Sequence, residues 1–200
     1  MFVNTIECDP EPLPAGKHGW PHRAELLGKL PVYSDFAEIE RLRGAGGATL
    51  ALLRPARITR LEIRKADSPT WTEEEKEKLL RLQLQTELFD EVEEGKQIRL
   101  LEKLPYDFYY HYECDVDGQT SAYRHKLVDW EVGALYRNVQ RKHGNNWEAA
   151  FRAKLEQDLP SKDLMFLLGT IHRFPSQWLL ISLIYPPKPP VENPNQAALF

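Results

Sequence analysis

Alternating side chains in the second half of the chain give its clearest structural signal. From Tyr106 to Cys114 every second residue is aromatic or apolar, and the residues between are mostly polar. A period of two predicts a strand with one buried face. Asp117 and Gly118 then supply a turn, and residues 123–128 are predicted to return as the second strand of a hairpin.

Two amphipathic helices are predicted to follow this hairpin. Asp129 is placed to cap the first helix, whose apolar residues recur from Val132 at the i, i+3, i+4, i+7 spacing of one helical face. Gly144 ends that helix. Asn146 is predicted to cap the second helix, which closes at Pro160.

Residues 164–171 and 177–185 are apolar on both faces, which predicts two strands at the centre of a sheet. His172 and Arg173 lie between them, either as a functional loop pair or as an ordinary hairpin tip. We therefore predict an α+β fold for residues 105–187, namely an antiparallel four-stranded sheet with two helices on one face.

The sequence pattern of the first 89 residues predicts a smaller N-terminal half of mixed α/β structure. Asp35 is placed to cap one helix, and Thr72 begins another with acidic residues in its first turn. Strand-like runs occupy residues 48–53 and 57–64.

Composition divides the chain into four regions. Residues 1–89 form the mixed N-terminal region, in which a short helix is predicted after Pro21. Residues 90–104 are acidic and polar and are predicted to be a linker. The hairpin-helix-helix-hairpin domain spans 105–187, and a proline-rich tail occupies 188–200.

Overall composition is that of an ordinary globular protein, with 42% hydrophobic and 28% charged residues. No secretory signal or membrane-spanning run is apparent, so a cytoplasmic location without membrane contact is expected. The two cysteines, Cys8 and Cys114, predict neither a disulfide framework nor a cysteine-rich zinc site.

The formal net charge of −4 does not favour nucleic acid as a bulk partner. A weak nucleic-acid contact would need a local patch, and Arg57–Lys65 is the most basic stretch. It is either a solvated strand face or a phosphate-binding face. Likewise, the tyrosines of 106–112 either form core covered by helices or stack bases.

The second half carries the pattern His125-x3-Asp-Trp-Glu-Val-Gly-x-Leu-Tyr136, followed by Gly169-Thr-x-His-Arg-x-Pro175. This pattern resembles an uncharacterised family of bacterial proteins with no established activity. Many members of that family carry a second cysteine just before the histidine, which this chain lacks. The resemblance implies a common fold and does not favour a zinc role for Cys114 with His125.

Asp129, Glu131 and His125 are predicted to meet where a strand joins a helix. Carboxylates and an imidazole at such a junction could hold a divalent metal for a nuclease or other hydrolase. The structural alternative makes Asp129 a helix cap, Glu131 a favourable first-turn acid and His125 a surface residue. No phosphate loop, serine elbow or dinucleotide fingerprint is present, so no cofactor or resident metal is predicted.

A short motif, Gln-x-x-Leu-Phe, occurs twice and points to a binding partner. It is similar to the pentapeptide by which bacterial replication and repair proteins hold the sliding clamp, where glutamine, leucine and phenylalanine are the anchors. The anchor residues of the two copies are Gln85, Leu88 and Phe89 in the first, and Gln196, Leu199 and Phe200 in the tail.

The motif leads to our main functional hypothesis, an interaction protein of DNA replication, repair or defence that the tail recruits to the clamp. Proline residues before the tail copy would hold Leu199 and Phe200 away from the body. Ala197 departs from the leucine usual in this motif, which should weaken binding. Leu88 and Phe89 have a competing role in closing the preceding helix. The alternatives are the metal-dependent hydrolase and a protein-binding adaptor.

Overall fold

The computed structural model describes residues 30–47, 49–78, 81 and 103–188. These residues form one sheet whose strands are β1 Val32–Tyr33, β2 Leu50–Leu53, β3 Arg57–Lys65, β4 Tyr106–Val116, β5 Gln119–Leu127, β6 Met165–Ile171 and β7 Phe174–Ile184. The α-helices are α1 Phe36–Gly44, α2 Trp130–His143 and α3 Trp147–Arg152, and α3 continues as a π-helix over Ala153–Asp158. Residues 73–78 are also helical.

The predicted four-stranded antiparallel sheet is wrong. The described residues form a seven-stranded sheet in the order β1-β2-β6-β7-β5-β4-β3. It is mixed, because β1 pairs parallel with β2 and β5 pairs parallel with β7. Strands of the first half extend the expected sheet on both sides, since β2 pairs with β6 and β3 pairs with β4.

Local sequence patterns predicted most of these strands and helices correctly. The alternating run became β4, and its turn holds Asp117 at φ 50° and Gly118 at φ 79°, the left-handed region that glycine adopts easily. Asp35 caps α1 by accepting a hydrogen bond from Ala37 N–H. Thr72 forms a reciprocal capping box, since its backbone N–H donates to Glu75 while its hydroxyl accepts from Glu75 N–H.

One face of the sheet packs against α1, α2 and α3. Tyr110 and Tyr112 on β4 are fully buried, which confirms them as core and not as a base-stacking surface. Phe151 and Leu155 are also fully buried. The Tyr110 hydroxyl donates to the Leu155 carbonyl across 2.8 Å, so this buried hydroxyl is paired.

Side chains from the α3 region protect the outer edge of β3. Glu156 accepts a hydrogen bond from Leu61 N–H at 2.7 Å, and the Arg152 guanidinium donates to the Leu61 carbonyl at 2.7 Å. An unpaired strand edge is a template for association with another chain. These two bonds occupy the middle of that edge and tie it to the helical layer.

The opposite face of the sheet divides into a charged side and an apolar side. On β3 to β5, Glu62 lies against Arg124 and His111. On β2, β6 and β7 the outward side chains are apolar, and Leu52, Met165 and Ile184 form a small cluster separate from the main core. Within the described residues, no helix has the length and apolar content that a membrane span requires.

Candidate functional site

Asp129, at the junction of β5 and α2, joins the two layers of the fold. Its Oδ1 accepts from Glu131 N–H at 2.6 Å, which confirms the predicted N-cap. Its Oδ2 accepts from the buried Leu183 N–H on β7, also at 2.6 Å. Asp129 is 7% exposed, and this burial raises the pKa of its carboxyl group. The hydrogen bond from Leu183 N–H acts in the opposite direction and lowers that pKa. Both oxygens therefore have structural partners.

His125 is partly buried beneath α1 and is not the surface residue that the structural alternative described. Its Nδ1 lies 3.0 Å from the Tyr112 hydroxyl, and its ring packs 4.5 Å from the ring of Phe36. Burial lowers the pKa of the imidazole to about 4, while the charge of Glu40 opposes that shift. The partly buried imidazole is thus neutral at pH 7.

The other acidic side chains on β4 and α2 are engaged separately. Glu131 accepts from the Tyr185 hydroxyl at 3.0 Å, and Glu113 pairs with Arg57 at 2.6 Å. Burial raises the pKa of the free thiol of Cys114. Among the described residues, no three or more His, Cys, Asp or Glu side chains are grouped so as to hold a metal ion. The metal-dependent hydrolase therefore finds no supporting geometry at this junction.

The basic stretch of β3 is neutralised by neighbouring carboxylates. Arg57 pairs with Glu113, and Arg64 pairs with Asp67 at 3.0 Å. Hydrogen bonds from Arg124, and then from His111, lower the pKa of Glu62 to about 2. These contacts favour the solvated strand face over a phosphate-binding one.

Arg124 also lies 3.7 Å from the centre of the Tyr109 ring. The Tyr109 side chain therefore lies on the charged face of the sheet and not in the core. His172 and Arg173 form the two-residue turn between β6 and β7, and both are exposed. Neither residue is drawn into the β5–α2 junction.

Two surface cavities flank Asp129. One, of about 270 Å³, has Leu135 and Leu159 among its apolar walls and Glu131 and Lys154 among its polar ones. The other, of about 340 Å³, includes Lys103. Sequence reasoning did not foresee these cavities, because their walls come from segments far apart in the chain.

Trp130 lines the first cavity and is 62% exposed. Trp130 directly follows the cap residue and lies outside the apolar stripe of α2, which begins at Val132. This position outside the stripe is the sequence signal that could have identified Trp130 as an exposed aromatic residue. A large exposed aromatic beside a concave surface is typical of a contact residue.

Replacing Trp130 with alanine should change the free energy of unfolding by no more than about 0.5 kcal/mol, because its ring buries little area. The matched substitution Trp147→Ala should cost about 3–5 kcal/mol, since Trp147 is 8% exposed and packs against Tyr136 and Phe151. Urea denaturation of both variants measures the difference. A large loss in Trp130→Ala would show that this side chain supports the fold.

The clamp-motif residues Gln85, Leu88, Phe89, Gln196, Leu199 and Phe200 lie outside the described residues, as does most of the predicted linker. What the described part shows is where the tail begins. β7 ends at Ile184, the Pro186 carbonyl accepts from Asp163 N–H at 3.1 Å, and Lys188 is exposed.

A family model described as "Domain of unknown function (DUF8757)" matches residues 36–200. The chain belongs to this family. The match includes β2 and β3 as well as the second half, in agreement with the single sheet that joins them. No curated protein and no solved structure matches the chain. The DUF8757 family has no assigned activity, so its name adds no chemistry to the site.

Proposed function

We propose that this protein is an interaction protein of DNA replication, repair or defence, recruited to the bacterial sliding clamp by the tail motif Gln196-Ala-Ala-Leu-Phe200. The observation that carries the proposal is the position of this motif beyond a proline-rich spacer that starts at the surface of the body. Prolines occupy positions 186, 187, 189, 190 and 194. Such a spacer favours extended backbone, which suits presentation of a short peptide.

The polar groups of the described body belong to its scaffold. Phe151, Phe166 and Leu180 are fully buried, and the buried side-chain nitrogen and oxygen atoms of the described residues all have hydrogen-bond partners. Asp129 and His125 have structural partners as well. The polar junction thus works as part of the scaffold, and binding is assigned to the motif.

The family match includes the tail. It extends to residue 200, so the tail lies within the region that the DUF8757 model covers. A short peptide with two apolar anchors gains most of its affinity from those anchors. Leu199 and Phe200 would fill an apolar pocket of the clamp, and Gln196 would hydrogen-bond at the rim of that pocket.

Titration of purified clamp with the full chain tests the proposal. The double substitution Leu199→Ala/Phe200→Ala should weaken binding by roughly 30-fold or more, which corresponds to about 2 kcal/mol for loss of the two anchors. The matched variant Leu88→Ala/Phe89→Ala should retain the affinity of the unsubstituted chain if the tail copy is the functional one.

Three outcomes are distinguishable in that titration. Loss only in the tail variant supports recruitment through Leu199 and Phe200. Loss only in the Leu88/Phe89 variant would move the site to the first copy. No binding by the unsubstituted chain would remove the clamp as a partner and leave an adaptor with another target.

A further inference from the structure

A third cavity, of about 180 Å³, lies at the end of the sheet where the chain crosses from β2 to β3. We call it the basic cavity, because four cationic side chains line it. They come from three separate segments: Arg54 and Arg57 beside the β2–β3 crossing, Lys162 from the turn before β6, and Lys188 from beyond β7. Among the described residues that line it, Asp163 is the only acidic one.

Carboxylates orient the two arginines of the basic cavity. Arg54 donates from Nε and Nη2 to the two carboxylate oxygens of Asp163, at 2.8 and 3.0 Å. Arg57 pairs with Glu113 at 2.6 Å. The arginine side chains are 51% and 68% exposed, more than their acidic partners. A guanidinium carries five N–H donors, so one carboxylate leaves each arginine with donors for a second anion.

The backbone between these arginines is fixed at both ends. Arg54 N–H donates to the Tyr33 carbonyl at 2.8 Å, and Ala56 N–H donates to the Glu113 carbonyl at 2.8 Å. Pro55 lies between them, and its ring restricts φ to about −65°. The two guanidinium groups are therefore held on a preorganised loop, which lowers the entropy cost of binding a ligand.

The two lysines of the basic cavity add charge that carboxylates offset only in part. Asp158 pairs with Lys162 at 3.3 Å and also with Lys154, so its single negative charge faces two ammonium groups. Lys188 is exposed, and none of the residues that the structure describes forms an ion pair with it. The cavity thus concentrates positive charge in a chain whose formal net charge is −4.

We propose that the basic cavity binds a phosphate group, either free or at the end of a small molecule. Arginine forks match the geometry of phosphate oxygens, and lysine ammonium groups bind phosphate as point charges. The cavity is smaller than the roughly 300–1,000 Å³ of sites for drug-sized ligands, so it suits an anionic head group. This site is independent of the function proposed for the tail.

The rest of the basic stretch of β3 favours a single phosphate group over a nucleic-acid backbone. Beyond Arg57, the side chains of Arg60 and Arg64 pair with Glu62 and Asp67. A nucleic-acid backbone is usually followed by a line of cations along a groove. Here the cations from separate segments instead converge on one cavity.

Backbone amide chemical shifts of the full-length, 15N-labelled chain test the proposal. Inorganic phosphate and phenyl phosphate are the probes, and benzoate is the control. Phosphate should produce saturable shifts at Arg54, Arg57 and Leu164. Benzoate should bind about tenfold more weakly or not at all, because it has less charge and fewer acceptor oxygens. Tighter binding of phenyl phosphate would identify a phosphate ester as the ligand, and equal binding the free anion.

A matched pair of variants separates the basic cavity from general surface charge. Lys162→Gln/Lys188→Gln should weaken phenyl phosphate binding by roughly tenfold or more, since it removes two charged donors. Lys65→Gln/Lys142→Gln removes the same charge from exposed positions outside the cavity and should retain the affinity. Both variants should keep the far-UV circular dichroism spectrum of the unsubstituted chain.

Several results would overturn the phosphate site. One is the absence of saturable shifts in the unsubstituted chain at millimolar phosphate, which needs no variant. Another is an affinity that both variants retain or lose equally. A third is a single-stranded oligonucleotide that binds more tightly than phenyl phosphate and shifts amides along Arg60–Lys65, which would assign nucleic acid to this part of the chain.

Discussion

Asp129→Ala should lower the free energy of unfolding by about 3 kcal/mol at pH 7. The substitution removes the cap of α2, which is worth about 1 kcal/mol, and leaves the buried Leu183 N–H without its partner, which costs about 1–3 kcal/mol more. Urea denaturation followed by circular dichroism measures the loss.

The matched control is Asp35→Ala, which removes an exposed cap bond from Ala37 N–H and a longer bond, of 3.4 Å, from the Tyr123 hydroxyl, and it should cost about 1 kcal/mol. Asp129→Asn should fall between the two values, because an amide offers one acceptor oxygen for two backbone donors. Equal losses for Asp129→Ala and Asp35→Ala would mean that the bond to β7 contributes little. In that case the role we assign to Asp129 would be wrong.

Stability should also fall by about 2 kcal/mol between pH 7 and pH 5 because of His125. Burial holds its folded pKa at about 4, below the value of 6.5 for a free imidazole. In this window the unfolded chain takes up a proton that the folded chain excludes, so stability is complete above pH 6.5 and is lost as pH falls toward 4. Protonation of Glu62, whose pKa in the folded chain is about 2, lowers the free energy of unfolding only below about pH 4.5.

The His125 prediction is checked by denaturation at several pH values with two variants. His125→Gln should flatten the dependence of unfolding free energy on pH between 7 and 5, whatever its effect on stability at pH 7. His172→Gln changes an exposed turn residue and should leave the slope as it was. An unchanged slope in His125→Gln would show that the histidine titrates normally.

The sequence was informative wherever structure is decided by near neighbours. Asp129 and Asp35 were recognised as caps, because a carboxylate before an amphipathic run satisfies N–H groups two or three residues away. Alternation from Tyr106 to Cys114 gave the buried face of β4 correctly.

Strand pairing was the part that local patterns could not give. Periodicity tells which side chains of a strand are buried, but it does not identify the neighbouring strand. β2 pairs with β6 more than 100 residues later, and β1 has two residues, too few to show a period. For these reasons the sequence predicts a four-stranded sheet, whereas the described residues form one of seven strands.

The same limit applied to the candidate site. Asp129, Glu131 and His125 were predicted to meet at one junction, but their separate partners were not foreseen. Leu183 lies 54 residues from Asp129, and His125 is covered by Phe36 from the first half. Those distant contacts turn an apparent metal site into structural groups.

Transfer of the tail tests the recruitment proposal most directly. Residues 186–200 are fused to an unrelated soluble carrier, and binding to the purified clamp is measured beside the full chain. We predict dissociation constants that agree within about threefold, because the anchors carry most of the binding energy. No binding by the fusion, while the Leu199→Ala/Phe200→Ala full chain still binds, would contradict recruitment through the tail.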